Sequence, residues 1–231
     1  MTSDISSAIE EYLEVIYRLQ KKNGVARTSA LTEMLDVAPG TITNTVERLE
    51  KASLITHEPY KGVKLTDKGR KMALHVIRRH RLSERLLTDV LNVEWDRAHS
   101  AACKLEHGVS DEIAKRIEDM LGRPKTCPHG NPIPTEKGDI TEERHKSILE
   151  MRPQEKGVVI RIDDESPSLL RYLDSLGIRP NVKIKVVEIA PFEGPLTVKI
   201  EGRTHAMSRK VARLISVRNS VGKDCVSRGK L

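Results

Sequence analysis

Two runs of side chains able to hold a transition metal lie between residues 76 and 110. In the first, His80 and Glu84 are four apart, one turn above each other on a helix. In the second, His99, Cys103, Glu106 and His107 fall at i, i+4, i+7 and i+8, a single stripe if the segment is one continuous helix. Imidazole, thiolate and carboxylate together suit a transition-metal ion, whereas calcium or magnesium would draw almost wholly on oxygen. One stripe alone is the ordinary pattern of a buried His or an inert Cys. Two stripes joined by the short turn at Asn92, Val93 and Glu94 point to helices that converge on an ion. Glu11 and Glu14 form a further pair near the N-terminus, where the helix dipole also favours plain solvated carboxylates. Cys127 and His129, set among prolines, read as structural, and Cys225 as an idle thiol.

The elements that must position these residues can be followed along the chain. Ile9, Leu13, Ile16 and Tyr17 recur at helical spacing over residues 8–20, and Gly24 ends the pattern. Thr28 is expected to cap a short helix with Leu31, Met34 and Leu35 turned inward. A tight connection over 36–40 leads to a second helix at 39–52, with Pro39 suited to its first turn. On that helix Ile42, Val46 and Leu49 make a buried stripe, leaving Thr41, Thr43, Asn44, Thr45 and Arg48 outward. A short helix, a tight turn and a longer helix bearing small polar groups and an Arg is the helix-turn-helix pattern. Hydroxyls and an amide near the start of the second helix can approach base edges. Thr28, Ser29, the turn at Ala38, Pro39 and Gly40, and Arg48 are placed for the DNA backbone.

Ile55, Val63 and Leu65 then mark two short strands around a turn at 58–62, a wing, with Lys61 and Lys64 offered to phosphates. Thr66 or Asp67 caps a long helix to about Val90 that carries His80 and Glu84. Asp96 is expected to cap the next helix. Ser110 caps another, with Ile113, Ile117 and Met120 or Leu121 apolar. Pro124, Pro128, Pro132 and Pro134 break the helical pattern, and 140–150 reads as a charged connector. From Gly157 onward, short strands with glycine turns, a helix at 168–176 and a helical turn at 210–214 suggest a small barrel.

Composition narrows the function classes. No apolar run among the 231 residues is long enough to span a bilayer, so the expectation is a cytoplasmic protein with no membrane partner. Three widely spaced cysteines argue against a disulfide framework. The net charge of +7 is misleading as a DNA signal: residues 1–75 carry 11 Lys and Arg against 10 Asp and Glu, while 151–231 carry 16 against 9. The case for DNA therefore rests on motif, not on charge.

A winged helix followed by RRHRLSERLLTDVLNVEWDRAHSAACKLEHGVSDEI, CPHGNPIP and a small barrel resembles the diphtheria toxin repressor family, over nearly the whole chain to Val217. Its most specific parts are 80–84, 99–107 and 130–134. The resemblance implies a mainly α protein with small β parts: a winged helix-turn-helix DNA-binding domain at 1–73, a helical metal-binding and dimerisation domain at 74–140, a linker at 141–154, an SH3-like barrel at 155–217 and a mobile basic tail at 218–231. It implies a metal-activated repressor that binds a palindromic double-stranded operator as a homodimer and takes no small-molecule substrate. By position, Cys103, Glu106 and His107, with Glu11 and Glu14 on the first helix, match the primary metal site. His80, Glu84 and His99 match the ancillary one, to which Asp164 or Glu165 of the barrel is the nearest further ligand.

The metal set is a hybrid. Iron-responsive members place Met where Glu11 stands, whereas the manganese transport regulators have acidic residues at positions 11 and 14 but Glu in place of Cys103. A thiolate favours Fe(II), Co(II), Ni(II) or Zn(II) over Mn(II), and added carboxylates favour hard ions. The chemistry leans to Fe(II), with Mn(II) the alternative and Co(II), Ni(II) or Zn(II) as substitutes in vitro. Two readings of other classes remain: a metal-dependent hydrolase, which would need an open coordination position, and a transport accessory module, since the barrel also resembles the small ferrous-iron-transport accessory domain. The helix-turn-helix argues against the latter for the whole chain.

Overall fold

A computed structural model of the chain describes residues 7–58, 60–141 and 143–219; Pro59 in the wing turn, Cys225 and the rest of 220–231 lie outside the described residues, while Arg218 and Asn219, expected in the tail, end the last strand. The chain divides into two compact units. The first comprises Met1–Leu91, Ala101–Lys125 and Pro132–Thr141, the second Asn92–Ser100, Thr126–Asn131 and Glu142–Leu231. No helix is long and apolar enough to cross a membrane.

In the first unit, α1 (Ser7–Asn23) buries Leu13, Ile16 and Leu19 along one face. The helix-turn-helix follows as α2 (Thr28–Leu35) and α3 (Pro39–Lys51), with Pro39 at the start of α3 as its locked φ favours. Ile42, Val46 and Leu49 are buried as their spacing requires, each contributing about 2 kcal/mol of hydrophobic stabilisation. Two details differ from expectation. Arg27, not Thr28, is the N-cap of α2, and it supplies no side-chain cap; Thr28 is the first helical residue, its carbonyl accepting from the Thr32 hydroxyl at 3.0 Å. Met34 is half exposed rather than inward, because an eight-residue helix turns only Leu31 fully into the core.

The wing is β1 (Ile55–Glu58) paired antiparallel with β2 (Gly62–Leu65), Ile55 opposite Leu65 and Glu58 opposite Gly62. Ala26 adds a short bridge to Val63, bonded in both directions at 3.0 and 2.8 Å. Helix α4 (Asp67–Asp89) starts at Thr66, whose hydroxyl accepts from the Gly69 N–H at 3.1 Å. Helix α5 (Ala98–Leu105) is shorter than the ligand stripe implied, and Glu106–Gly108 form a separate 3₁₀ turn. Asp96, expected to cap α5, meets Arg171 at 3.1 Å. Ser110 caps α6 (Asp111–Met120), accepting from Ile113 N–H at 3.3 Å. Ala114 and Ile117 of α6 pack with Leu82 of α4 and Val109, whereas Ile113 and Met120, expected to be apolar core positions, are exposed.

The second unit is a six-stranded antiparallel sheet in the order β3-β8-β4-β5-β6-β7. Its strands are β3 (Lys146–Ser147), β4 (Lys156–Ile162), β5 (Lys183–Ile189), β6 (Leu196–Ile200), β7 (Arg203–Met207) and β8 (Ile215–Asn219). Helices α7 (Pro167–Ser175) and α8 (Arg209–Arg213) join them. Val159, Leu170, Val186, Val198 and Ile215 are fully buried at its centre. The segment 141–154, read from sequence as a linker, contributes to this unit: β3 pairs with β8, and Ile148 and Met151 are buried in the same core. Apolar Ile148, Leu149 and Met151 were masked in the sequence by the charges around them.

Candidate metal centre and nucleic-acid interface

Helices α1 and α4 of the first unit present acidic and imidazole groups to each other. On α1, Glu14 is buried and held by Arg18, whose Nε and Nη2 donate to one carboxylate oxygen at 3.0 and 2.6 Å. Burial alone would raise the Glu14 carboxyl, but Arg18, His80 and Arg81 outweigh it and hold it below the usual carboxylate value. One turn earlier, Glu10 pairs with His107 Nδ1 at 2.9 Å and with Arg79 of α4. Glu11 lies on the exposed side of α1. The i, i+4 pair that faces α4 is therefore Glu10 and Glu14, because the apolar stripe through Leu13 and Ile16 turns Glu11 to solvent.

His80 is the hub of this nest. It is fully buried, bonds Glu84 through Nε2 at 3.1 Å and bonds Glu106 through Nδ1. Cys103 brings its Sγ within 4.8 Å of a His80 ring nitrogen. Burial opposes a charge on His80, yet Glu84, Cys103 and Glu106 outweigh it and raise its pKa well above the usual imidazole value. Glu84 and Glu106 are themselves buried. Three buried carboxylates, an imidazole and a thiol are stable only around positive charge, so the donor set fits a divalent ion by charge and by softness. The primary set expected from sequence is drawn together only in part among the described residues. Glu106 and Cys103 meet His80, His107 meets Glu10, and the end of α5 at Leu105 separates Cys103 from Glu106 and His107.

The ancillary residues fall in both units, His80 and Glu84 in the first and His99 in the second. Within the second unit, His99 Nδ1 lies 3.2 Å from Glu165. Asp164 does not point that way: it is exposed, and its carboxylate accepts from Ser166 N–H at 2.9 Å, just ahead of α7. Glu165 also gathers Cys127 and His129, the three offering donors within 4.8 Å of one another. Cys127 Sγ lies 4.0 Å and His129 Nδ1 3.6 Å from Glu165 Oε1, which also accepts from Asn131 Nδ2 at 2.6 Å.

Local geometry explains this second cluster. Residues 127–130 form a tight turn, with Gly130 N–H donating to the Cys127 carbonyl at 2.9 Å. Gly130 has φ 88°, and a Cβ there would lie 2.0 Å from the Ile160 carbonyl oxygen, so only glycine fits. Ile162 N–H donates to the His129 carbonyl at 2.9 Å, joining the turn to β4. His129 Nε2 faces the Trp95 carbonyl at 3.1 Å and must donate to it, which turns Nδ1 toward Glu165. Cys127 and His129, given a structural role by the sequence reading, are thus candidate ligands. The proline-rich surroundings hid a tight, hydrogen-bonded turn.

The DNA-facing residues named from sequence are Thr28, Ser29, Ala38, Pro39, Gly40, Thr41, Thr43, Asn44, Arg48 and Lys61. All are exposed. Thr43 donates its hydroxyl to the Pro39 carbonyl at 3.2 Å, which leaves its methyl and lone pairs outward. Lys61 pairs with Glu58 across the wing turn at 2.8 Å.

Comparison with known proteins agrees with this architecture. Residues 4–63 match the N-terminal DNA binding domain of the iron dependent repressor, 66–135 its metal binding and dimerisation domain, and 146–219 the FeoA domain. The chain is 32% identical over 228 residues to the iron-dependent repressor IdeR of Mycobacterium tuberculosis, covering 93% of this chain and 98% of that one. It is 31% identical over 198 residues to the diphtheria toxin repressor of Corynebacterium efficiens, covering 80% and 84%. Among solved structures, a manganese-dependent transcriptional repressor in complex with manganese superposes with TM-score 0.84 at 34% identity, over 91% of this chain and 99% of that one. IdeR of T. acidophilum superposes with TM-score 0.77 at 26% identity, over 95% and 100%. With its DNA binding domain, its metal binding and dimerisation domain and its FeoA domain matched in order, the chain belongs to the iron-dependent repressor family and is a metal-dependent, DNA-binding transcriptional regulator rather than an enzyme.

Proposed function

We propose that the protein is a cytoplasmic repressor of iron homeostasis that binds a palindromic double-stranded operator as a homodimer when loaded with Fe(II). The single observation that carries this is the nest in the first unit, where Glu10 and Glu14 of α1 face His80, Glu106 and His107. Helix α1 packs on the helix-turn-helix core through Leu13 and Ile16, so an ion held there by Glu14, Cys103, Glu106 and His107, with Glu11 or Glu10, would tie the DNA reader to the end of α5 and the 3₁₀ turn that follows it. The ion supplies charge compensation and fixed coordination, and the residues do the rest by holding α1 in one pose. Two α3 helices must meet major grooves about 34 Å apart on one DNA face, so a small change in that pose changes affinity greatly.

Exposed Ile113 and Met120, seven apart on one face of α6, support pairing of two copies, with Val90 and Leu91 at the end of α4. The second cluster, Cys127, His129 and Glu165 with His99, is assigned to a second ion. Two thiols among the candidate ligands favour Fe(II), as do the relatives named iron-dependent repressors. Manganese-responsive regulation is the alternative, supported by the acidic pair on α1 and by the likeness to a structure named as manganese-dependent.

The test is retardation of a palindromic duplex against buffered free Fe(II) under anoxia and, separately, Mn(II). The proposal expects metal-dependent binding reversed by chelation, with half-saturation at lower free Fe(II) than Mn(II). Binding indifferent to both ions and to chelator would refute it.

A further inference from the structure

Residues 1–75, which hold the DNA reader, carry 11 Lys and Arg against 10 Asp and Glu, while 151–231 carry 16 against 9. Affinity for a duplex that does not depend on its sequence comes from cations that displace counterions, so a charge-balanced reader supplies little of it. The surplus in the second unit is partly gathered on one face of the sheet.

Val159, Ile184, Val186, Val198 and Ile200 turn into the core, and strand alternation leaves Lys156, Lys183, Lys185 and Lys199 on the other side. The register then lines them up. Lys156 of β4 stands opposite Lys185 of β5, and Lys185 opposite Lys199 of β6. One step along, Val158 lies between Lys183 of β5 and Arg218 of β8. Lys185 is half-buried and the other four are exposed.

Cations directly opposite one another weaken a ladder, so the folding of the sheet does not account for three lysines in one row. Elsewhere in this unit Lys146, Arg161, Arg171 and Arg179 each meet a carboxylate, from Glu155, Asp163, Asp96 and Asp174. On this face none of the five cations forms an ion pair among the described residues. Glu188, the acidic residue of β5, stands beyond a register shift, opposite Thr197. The charge is therefore left open to an outside anion.

Shape and composition narrow that anion. The patch covers four adjacent strands, about 15 Å across, and about 7 Å along them. A face of extended strands is open, which suits a long polyanion better than a small one. Strands β4, β5, β6 and β8 carry no Phe, Tyr or Trp on which unpaired bases could stack, so the backbone of a duplex fits better than a single strand.

We propose that this lysine face of the FeoA unit binds the phosphate backbone of double-stranded DNA without regard to sequence, supplying the counterion-release affinity that the reader lacks. It rests on the operator-binding reading above only in taking DNA as the partner. The experiment follows, by fluorescence anisotropy over a salt series, a non-operator duplex with the chelator-treated full chain and the palindromic operator with the Fe(II)-loaded chain. The triple variant Lys156→Gln, Lys185→Gln, Lys199→Gln is compared with wild type and with Arg at the same three positions. A further control, Lys115→Gln, Lys125→Gln, Lys137→Gln, removes equal charge from exposed positions of the first unit.

For the non-operator duplex, the sheet glutamine variant should flatten the slope of log K against log salt by about three, and lose about a hundredfold in affinity near 0.1 M salt. The arginine variant should keep both, and the first-unit variant should shift the slope by less than about one. Removing like charges from one row should leave the thermal midpoint level or raised, which separates lost contacts from lost folding. The factor by which Fe(II) tightens operator binding should be unchanged. A wild-type slope in the sheet variant, a lowered midpoint, equal flattening by the first-unit variant, or tighter binding of wild type to phosphatidylserine vesicles than to duplex would overturn the proposal. If wild type fails to bind the operator with Fe(II) while the non-operator series behaves as expected, the operator reading fails and the lysine face stands.

Discussion

The two ligand clusters use similar side chains and differ in how the chain delivers them. The nest in the first unit is built on helices and on one 3₁₀ turn, is rich in carboxylates, and has its thiol, Cys103, exposed. The cluster in the second unit is built on the 127–130 turn and the end of β4, has one carboxylate among its three mutually close donors, and has its thiol, Cys127, buried. On the proposed reading an ion in the nest would act on a helix that belongs to the DNA reader. An ion at Cys127 and His129 would act on the FeoA unit, whose hydrogen bonds through Asn131, Trp95 and Ile162 already join that turn to its neighbours. The difference would make the nest the switch and the second cluster a brace.

Several substitutions break or sharpen that contrast. The largest effect is expected from Glu106→Gln, which removes a buried carboxylate bonded to His80. Metal-dependent operator affinity should fall on the order of a hundredfold, measured by gel retardation. Cys127→Ala should leave operator affinity within about tenfold while lowering the affinity for the second ion by a comparable factor. With Co(II) as a reporter, this variant should lose the thiolate charge-transfer absorption of one site only, and Cys103→Ala that of the other. If the two variants affected operator binding equally, the division into switch and brace would be gone.

A smaller contrast separates neighbours on α1. Glu10→Ala, which removes a partner of His107 and Arg79, should weaken metal-dependent binding by about tenfold, as loss of an outer-shell partner does, and by more than Glu11→Ala if Glu10 is the inward residue in the loaded state. The reverse order would show that loading turns Glu11 inward. The smallest effect concerns acid stability away from both clusters. Arg78 is buried, donates to both oxygens of Glu118 at 3.1 and 2.8 Å and to the Pro134 carbonyl at 2.9 Å. The Arg78 hydrogen bond holds the Glu118 carboxyl below its usual value. A depressed carboxylate contributes stability that is present above its unfolded pKa and is lost as pH falls through the folded one. Glu118→Gln should therefore lower the midpoint of metal-free protein at pH 7 by the equivalent of about 1 kcal/mol, and the difference should shrink as the pH falls below the usual carboxylate range, in thermal melts.

What could be seen in the sequence follows the length scale of the signal. Helix-turn-helix and wing were legible because Ile42, Val46 and Leu49, then Ile55, Val63 and Leu65, repeat with the period of their elements, and Pro39 and Thr66 mark helix starts. His80 and Glu84 were legible for the same reason, sitting mid-helix on α4. Spacing failed where the helix stopped. The stripe from His99 to His107 assumed one helix, but α5 ends at Leu105 and the last two ligands sit on a 3₁₀ turn with a different angular step. Phase mattered by one residue at Glu10 against Glu11, and spacing left Asp164 and Glu165 open, since period alone does not say which neighbour a capping bond will claim. Ile113 and Met120 look like core from their period and are exposed, as apolar residues reserved for a second copy would be. The return of β8 between β3 and β4 is a long-range pairing that no local pattern encodes.

The central claim is that ion and operator are coupled through α1, and reciprocity makes it measurable from the metal side. Calorimetric titration of the full chain with Fe(II) under anoxia, with and without saturating palindromic duplex, should show the ion binding tighter in the presence of DNA by the same factor by which Fe(II) tightens operator binding. That gain should be lost in Glu106→Gln and kept in Cys127→Ala. Fe(II) affinity that is unchanged by the duplex in the wild type would contradict the account.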